Sequence, residues 1–221
     1  LTDFNSVTSP KSISFNGKLP TFYQLFLKIY KEQVLVDDIV NEINSQLNIF
    51  EDFVGSKPNF IDGHHHVHQL PIISNILLKL IKKRYNEDPP FIRNTYESNI
   101  KILKRNICLT KTFLLSYYGY FFKKKLINNN FKTNNGFSGI YDFSEVTKYD
   151  YLFNKFIKYV DHNHLLMVHP GESDEYLEKI DPVTSTRDKE KNFFLSSRFE
   201  ELLHKQTLVR KPLHLSFSSN L

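Results

Sequence analysis

The stretch KPNFIDGHHHVHQLPII, Lys57 to Ile73, decides how the chain is read. It opens as a short apolar strand, Asn59 to Asp62. It closes on Pro71, and proline is favoured at the first position of a helix because the N–H it lacks has no helical partner there. Between strand and helix lie Asp62, Gly63 and four histidines in five positions, His64, His65, His66 and His68. Strand, polar loop and helix make one βα unit. In folds built from such units the loops that follow the strands carry the chemistry.

The same rhythm continues outward. Residues 1–20 are rich in Ser, Thr, Asn and Pro and read as loop. PTFYQLFLKIYKEQ carries Phe22, Leu25, Phe26, Ile29 and Tyr30 at helical spacing, with Pro20 and Thr21 at its start. VDDIVNEINSQLNIFEDFVG is the clearest helix: Ile39, Ile43, Leu47, Phe50 and Val54 form a stripe, acids sit early and Gly55 ends it. PIISNILLKLIKKRY, LTKTFLLSYYGYFFKKKLI, YDYLFNKFIKYV and DKEKNFFLSSRFEELLHKQ are predicted helices. Phe91 to Arg93, Leu165 to Val168 and the short TLVR are predicted strands, and the Asn- and Gly-rich NNNFKTNNGFSGIYDFS reads as a loop with one apolar insert. Helices alternating with short strands predict an α/β fold with a parallel sheet or barrel, in one domain over residues 1–221. The three clearest strands end in Asp62-Gly63-His64, in Arg93 and in His169-Pro170-Gly171, and these ends are expected on one face.

Composition narrows the function. The 221 residues carry a formal charge of +5 and a pI of about 9.0. Lysine is scattered, and its two dense runs fall at helix ends where cations suit the dipole, so no nucleic-acid partner is expected. No apolar run approaches the roughly 20 residues of a membrane span. No signal peptide is visible, and the single Cys108 excludes an internal disulfide or a cysteine-based zinc cluster, so a cytoplasmic location is expected. P-loop, dinucleotide, nucleophile-elbow and HExxH motifs are absent from the sequence.

Neutral imidazole is a common ligand for zinc and other divalent ions. One loop can supply one or two ligands, with the neighbouring histidines holding, packing or meeting substrate. In an extended segment His64, His66 and His68 point one way and His65 the other. For His65 and His68 singly, packing or solvent exposure fits as well as function. Asp62 suits a ligand or an orienting group, Arg93 suits a carboxylate or an anion, and His169 suits a general acid or base. His162, His164, His204 and His214 lack a strand-end setting and read as structural. SDEYLEKIDP and TRDKEKNFF read as solvated charged faces.

The histidine stretch resembles the signature of the YdjC-like carbohydrate deacetylases (the ChbG/HpnK group), approximately P-x-h-h-D-[SG]-H-x-H-V-H-x-x-P, matched at Asp62, Gly63, His64, His66, Val67, His68 and Pro71. FIRN, GFSGIYDF, LLMVHPGESDE and STRDKEKNFFLSSRFEELL resemble further segments of that family, in its order. The resemblance implies a TIM-barrel-like (β/α) deacetylase fold and a metal-dependent hydrolase that removes an acetyl group from an N-acetylated sugar or sugar-lipid. It implies a divalent metal, Mg2+ or Zn2+, held by one aspartate and two histidines, the second of which falls on His64. The family's His-Pro-Gly histidine falls on His169, for which we infer a general-acid role; by analogy with a related arginine of polysaccharide deacetylases, Arg93 is expected to position the catalytic aspartate, and Asp62, His66 and His68 are expected to meet substrate or support the ligands.

The family's opening Asp-Asp-Phe-Gly and Gly-h-His-Leu motifs, which supply the first ligands and the base, are absent, and the chain starts at LTDF. With no strand before it, Asp3 is not expected to substitute. The barrel is therefore expected to lack its first strands, and the chain alone to be weakly stable and impaired in hydrolysis. The alternative is an inactive remnant or a sugar- or metal-binding module. The expected partners are an N-acetylated carbohydrate and either a second copy of the chain (a homodimer) or a separate N-terminal fragment.

Overall fold

The computed structural model describes residues 1–144, 146–181, 183–206 and Leu208. The predicted TLVR strand, apart from Leu208, and His214 lie outside the described residues. In chain order the first elements are α1 (Phe22–Tyr30), α2 (Val36–Val54), β1 (Phe60–Ile61), a 3-10 turn (His64–Gln69), α3 (Pro71–Arg84) and β2 (Phe91–Ile92). There follow α4 (Asn99–Arg105), α5 (Leu109–Asn128), β3 (Gly136–Ser138), α6 (Tyr149–Phe156) and β4 (His164–Leu166). The series closes with α7 (Glu175–Ile180), α8 (Ser185–Phe194) and α9 (Ser197–Lys205). No helix among the described residues is long and apolar enough to cross a membrane. The chain forms two compact units: Leu1–Asn94 with Phe121–Thr133, and Thr95–Tyr120 with the chain from Asn134 onward.

In the first unit, β1 and β2 pair in parallel, with Phe60 opposite Phe91 and Ile61 opposite Ile92. Parallel neighbours require a crossover, which the 3-10 turn and α3 provide. Local sequence sets the flanking helices. Thr21 accepts from Gln24 N–H while the Gln24 side chain accepts from Thr21 N–H, a reciprocal cap that starts α1. Gly55 ends α2 in the left-handed conformation, as predicted. Of the predicted α2 stripe only Ile39 and Ile43 are buried, whereas Phe50 and Val54 are exposed. The core of this unit gathers Leu25, Ile39, Ile73, Ile81, Ile92 and Leu126.

In the second unit, β3 and β4 pair in parallel over Gly136–Ser138 and His164–Leu166. The apolar insert read as loop is thus a strand. Gly139, just past it at φ 103°, lies so close to β4's exit that an added Cβ would stand 2.1 Å from the Met167 carbonyl oxygen. The predicted last helix is two helices: the extended backbone of Ser196 interrupts the run before α9, and its hydroxyl turns back to donate to Phe193 O at 2.6 Å. α4 and α7 were not predicted. An aromatic core joins Tyr149, Phe153 and Phe156 of α6 to Phe193 of α8 and Phe199 of α9, with Phe153 centred 4.9 Å from Phe193 and 5.3 Å from Phe199.

Candidate metal centre and proton-transfer site

The histidine segment is not extended. Within the 3-10 turn His65 (φ 49°, ψ 24°) and His66 (φ 61°, ψ 17°) adopt left-handed backbone. For residues bearing a Cβ this costs about 1–2 kcal/mol each. The predicted alternation of His64, His66 and His68 against His65 therefore fails, since it needs a pleated backbone. Instead the His64 and His65 rings stack, with centroids 4.1 Å apart and planes 21° apart.

Asp3 meets this pair. Its backbone N–H donates to Pro20 O at 2.9 Å, and Phe4 packs its ring 5.1 Å from that of His64. Asp3 Oδ2 lies 3.4 Å from His65 Nδ1 and 3.7 Å from His64 Nε2. That oxygen is sealed from solvent and accepts no hydrogen bond, which is costly for a carboxylate without a compensating cation. The three donor atoms lie within 4.8 Å of one another. Ligands of one tetrahedral zinc ion stand about 3.3 Å apart for bonds of roughly 2.0–2.1 Å. One oxygen and two imidazole nitrogens are a donor set that zinc and related divalent ions accept. Both histidines are exposed, which leaves the solvent side open. The residues present thus fit a divalent ion. His64 stands where the sequence placed a ligand. Asp3 and His65 join it without a local signal, because Asp3 is sixty-one positions away in the chain and His65 depends on the left-handed turn.

The remaining histidines turn to Arg93, at the end of β2. Arg93 N–H donates to Ile61 O at 3.2 Å, which fixes the arginine beside the end of β1. One guanidinium nitrogen donates both to Asp62 Oδ1 and, at 2.9 Å, to His66 Nδ1. Asp62 Oδ1 also accepts from Gly63 N–H at 2.5 Å. His68 is fully buried, and its Nε2–H donates to the Arg93 carbonyl at 2.9 Å. Burial, reinforced by Arg93, lowers its pKa to about 4, so it is neutral at ordinary pH. Its ring packs edge-on against Phe122 at 5.4 Å. Gly63 permits this: an added Cβ there would stand 2.7 Å from His68 Nδ1. Asp62, His66, His68 and Arg93 are therefore one bonded cluster in which His68 is a packed strut.

In the second unit His169 follows β4. Its backbone N–H donates to Glu190 Oε2 at 2.5 Å, its Nδ1 lies 3.9 Å from Glu190 Oε1, and its ring meets Phe143 edge-on at 5.1 Å. Glu190 is fully buried on α8, and Tyr141 Oη–H donates to its Oε1 at 2.5 Å. Burial raises its pKa despite these donors. The sequence reading put Glu190 on a solvated face, yet Thr186, Glu190 and Phe193 are all buried at helical spacing. That spacing from Phe193 was the available signal. A second buried group in this unit, Glu97, bonds Arg105 at 2.6 Å and faces His164 Nδ1 at 3.7 Å. His164 is structural, as predicted: its Nε2–H donates to Ser138 Oγ at 2.8 Å, and burial lowers its pKa to about 3.

Parallel strand pairs joined by helices, with polar and ionisable groups clustered after the strands, define an α/β protein of the kind that works from its strand ends. The chain belongs to the YdjC-like protein family, whose model matches residues 2–205. It is similar to the chitooligosaccharide deacetylase of Enterobacter sp., 37% identical over 49 residues, which is 22% of this chain and 19% of that protein. It is also similar to that of Proteus mirabilis, 33% identical over 73 residues, 33% of this chain and 28% of that protein. The matched stretches therefore span less than a third of these curated relatives. A solved structure from Enterococcus faecalis, described as a candidate cellobiose-phosphate cleavage protein, superposes with a TM-score of 0.65 at 17% identity. The superposition covers 97% of this chain and 75% of that one, which shows a shared fold.

Proposed function

We propose that the chain is a carbohydrate deacetylase of the YdjC-like family, with a (β/α)-barrel-type fold, that hydrolyses the N-acetyl amide of an amino sugar to acetate and a free amine. The observation that carries this reading is Asp3 Oδ2, buried without a hydrogen bond and facing His64 Nε2 and His65 Nδ1. The names of the curated relatives support the reaction and the sugar class. Asp3, His64 and His65 would hold a divalent ion, Zn2+ or Mg2+, which supplies Lewis acidity to polarise an acetyl carbonyl and acidify water. Arg93 holds Asp62 in place and fixes the His66 ring through Nδ1, so that both side chains are oriented for substrate in this reading. In the second unit, taken by itself, His169 is the candidate proton donor in this reading.

A second reading, a metal- or sugar-binding module without turnover, is favoured by one observation. Asp62 Oδ1 already accepts from Arg93 and from Gly63 N–H, which weakens it as a base. Calorimetry with Zn2+ and an acetate-release assay on a chitooligosaccharide separate the two. Binding in the micromolar range or tighter, weakened about 10–100-fold in Asp3→Asn and in His64→Ala, is expected together with acetate release. Binding without release selects the module, and no binding by the intact chain removes the metal centre.

A further inference from the structure

Glu190 is a carboxylate with full occupation on one side and a histidine on the other. Oε2 is committed to the His169 backbone N–H, Oε1 accepts from Tyr141, and the same Oε1 faces His169 Nδ1 at 3.9 Å. The group is fully buried, whereas the His169 side chain is 26% exposed. The carboxylate thus approaches the imidazole from the protein side and leaves an outer side accessible. A salt bridge alone would not bury the acid completely and then spend its second oxygen on the backbone of the residue it faces. The backbone bond fixes where the His169 main chain lies, and it sets the second oxygen beside the ring nitrogen. The charged and titratable groups around the pair include Tyr141 after β3, Tyr149 of α6, Arg187 on α8 itself, and Lys111 of α5, whose ammonium sits 5.1 Å from the Phe143 ring centre.

We propose that Glu190 is the positioning carboxylate of His169, holding the neutral imidazole with its proton on Nδ1 so that Nε2 is the nitrogen that exchanges protons with substrate. The 3.9 Å approach is longer than a hydrogen bond, as catalytic contacts often are before substrate binds. No covalent change occurs at Glu190: Nε2 first takes a proton from the attacking water, the carboxylate stabilises the imidazolium so formed, and Nε2 then gives that proton to the departing amine. This inference rests on the proton-donor role given to His169 above, but its test needs no substrate.

The experiment is nitrogen-15 NMR of the intact histidine-labelled chain, with the His169 signals assigned by their loss in His169→Gln. Wild type is expected to show the Nδ1–H tautomer at neutral pH. In Glu190→Gln, where an amide replaces the anion, the ring is expected to shift toward Nε2–H and its titration midpoint to fall by about one pH unit. An unchanged tautomer and midpoint in a folded Glu190→Gln would overturn the proposal. Should that variant not fold, carbon-13 glutamate labelling of wild type gives the same answer. The Glu190 carboxyl signal must then move at the pH where His169 titrates, and independent titrations would overturn the coupling. A chain that releases no acetate yet passes these tests loses the deacetylase reading and keeps the Glu190–His169 pair.

Discussion

At the scale of single residues, one position is dictated by what stands beside it and two by their backbone. Gly63 has room for no side chain, since a Cβ would collide with the His68 ring. Gly63→Ala is therefore expected to push His68 off the Arg93 carbonyl and to cost about 1–3 kcal/mol. Urea unfolding should show the loss, with zinc affinity at Asp3 and His64 falling less than in Asp3→Asn. His65 and His66 are constrained by backbone as well as by ring. Replacing either with valine adds a β-branched side chain to a left-handed conformation, whereas asparagine tolerates it. His66→Asn should melt at a higher temperature than His66→Val.

At the scale of elements, the approach of β3 to β4 hinges on Gly139, where a methyl would meet the Met167 carbonyl and where φ is positive. Gly139→Ala is expected to destabilise the second unit by at least about 2 kcal/mol, visible as a lower urea midpoint. The sequence made some elements legible and hid others for physical reasons. α1 and α2 announce themselves through a capping threonine and a terminal glycine, and the strand–loop–helix at Lys57 to Ile73 through its punctuation. β3 has three residues, too few for a period, and lies among asparagines that signal turns. His64, Asp62 and Arg93 were visible as strand-end residues; Asp62 and Arg93 bond each other, whereas His64 turns to Asp3. Asp3 was not, because its place depends on a loop folding back through the Asp3 N–H to Pro20 O bond. Glu190 was hidden by its charged neighbours in TRDKEKNFF, although its spacing from Phe193 marks it as inward-facing.

At the scale of the whole molecule, stability must depend on acid. His68 and His164 are held neutral by burial, with pKa values lowered to about 4 and about 3. The unfolded chain takes up a proton at each near the ordinary value of 6.5. Stability from keeping them neutral is therefore complete above that value and is lost as pH falls below it, until the folded pKa is reached. Between pH 7.5 and 5.5 the expected loss is on the order of 1 kcal/mol per histidine. A urea midpoint falling over that interval, and falling less in His68→Gln, would bear this out. The two units also share the chain in alternation, each assembled from separate segments. Phe122 and Leu126, nearly inaccessible in the first unit, arrive on a stretch encoded after the second unit has begun. Neither unit corresponds to one uninterrupted reading of the gene. A polypeptide stopped at Asn94 would emerge from the ribosome with β1, β2 and the histidine turn but without the ring that covers His68, and should stay unfolded until Phe121–Thr133 follows.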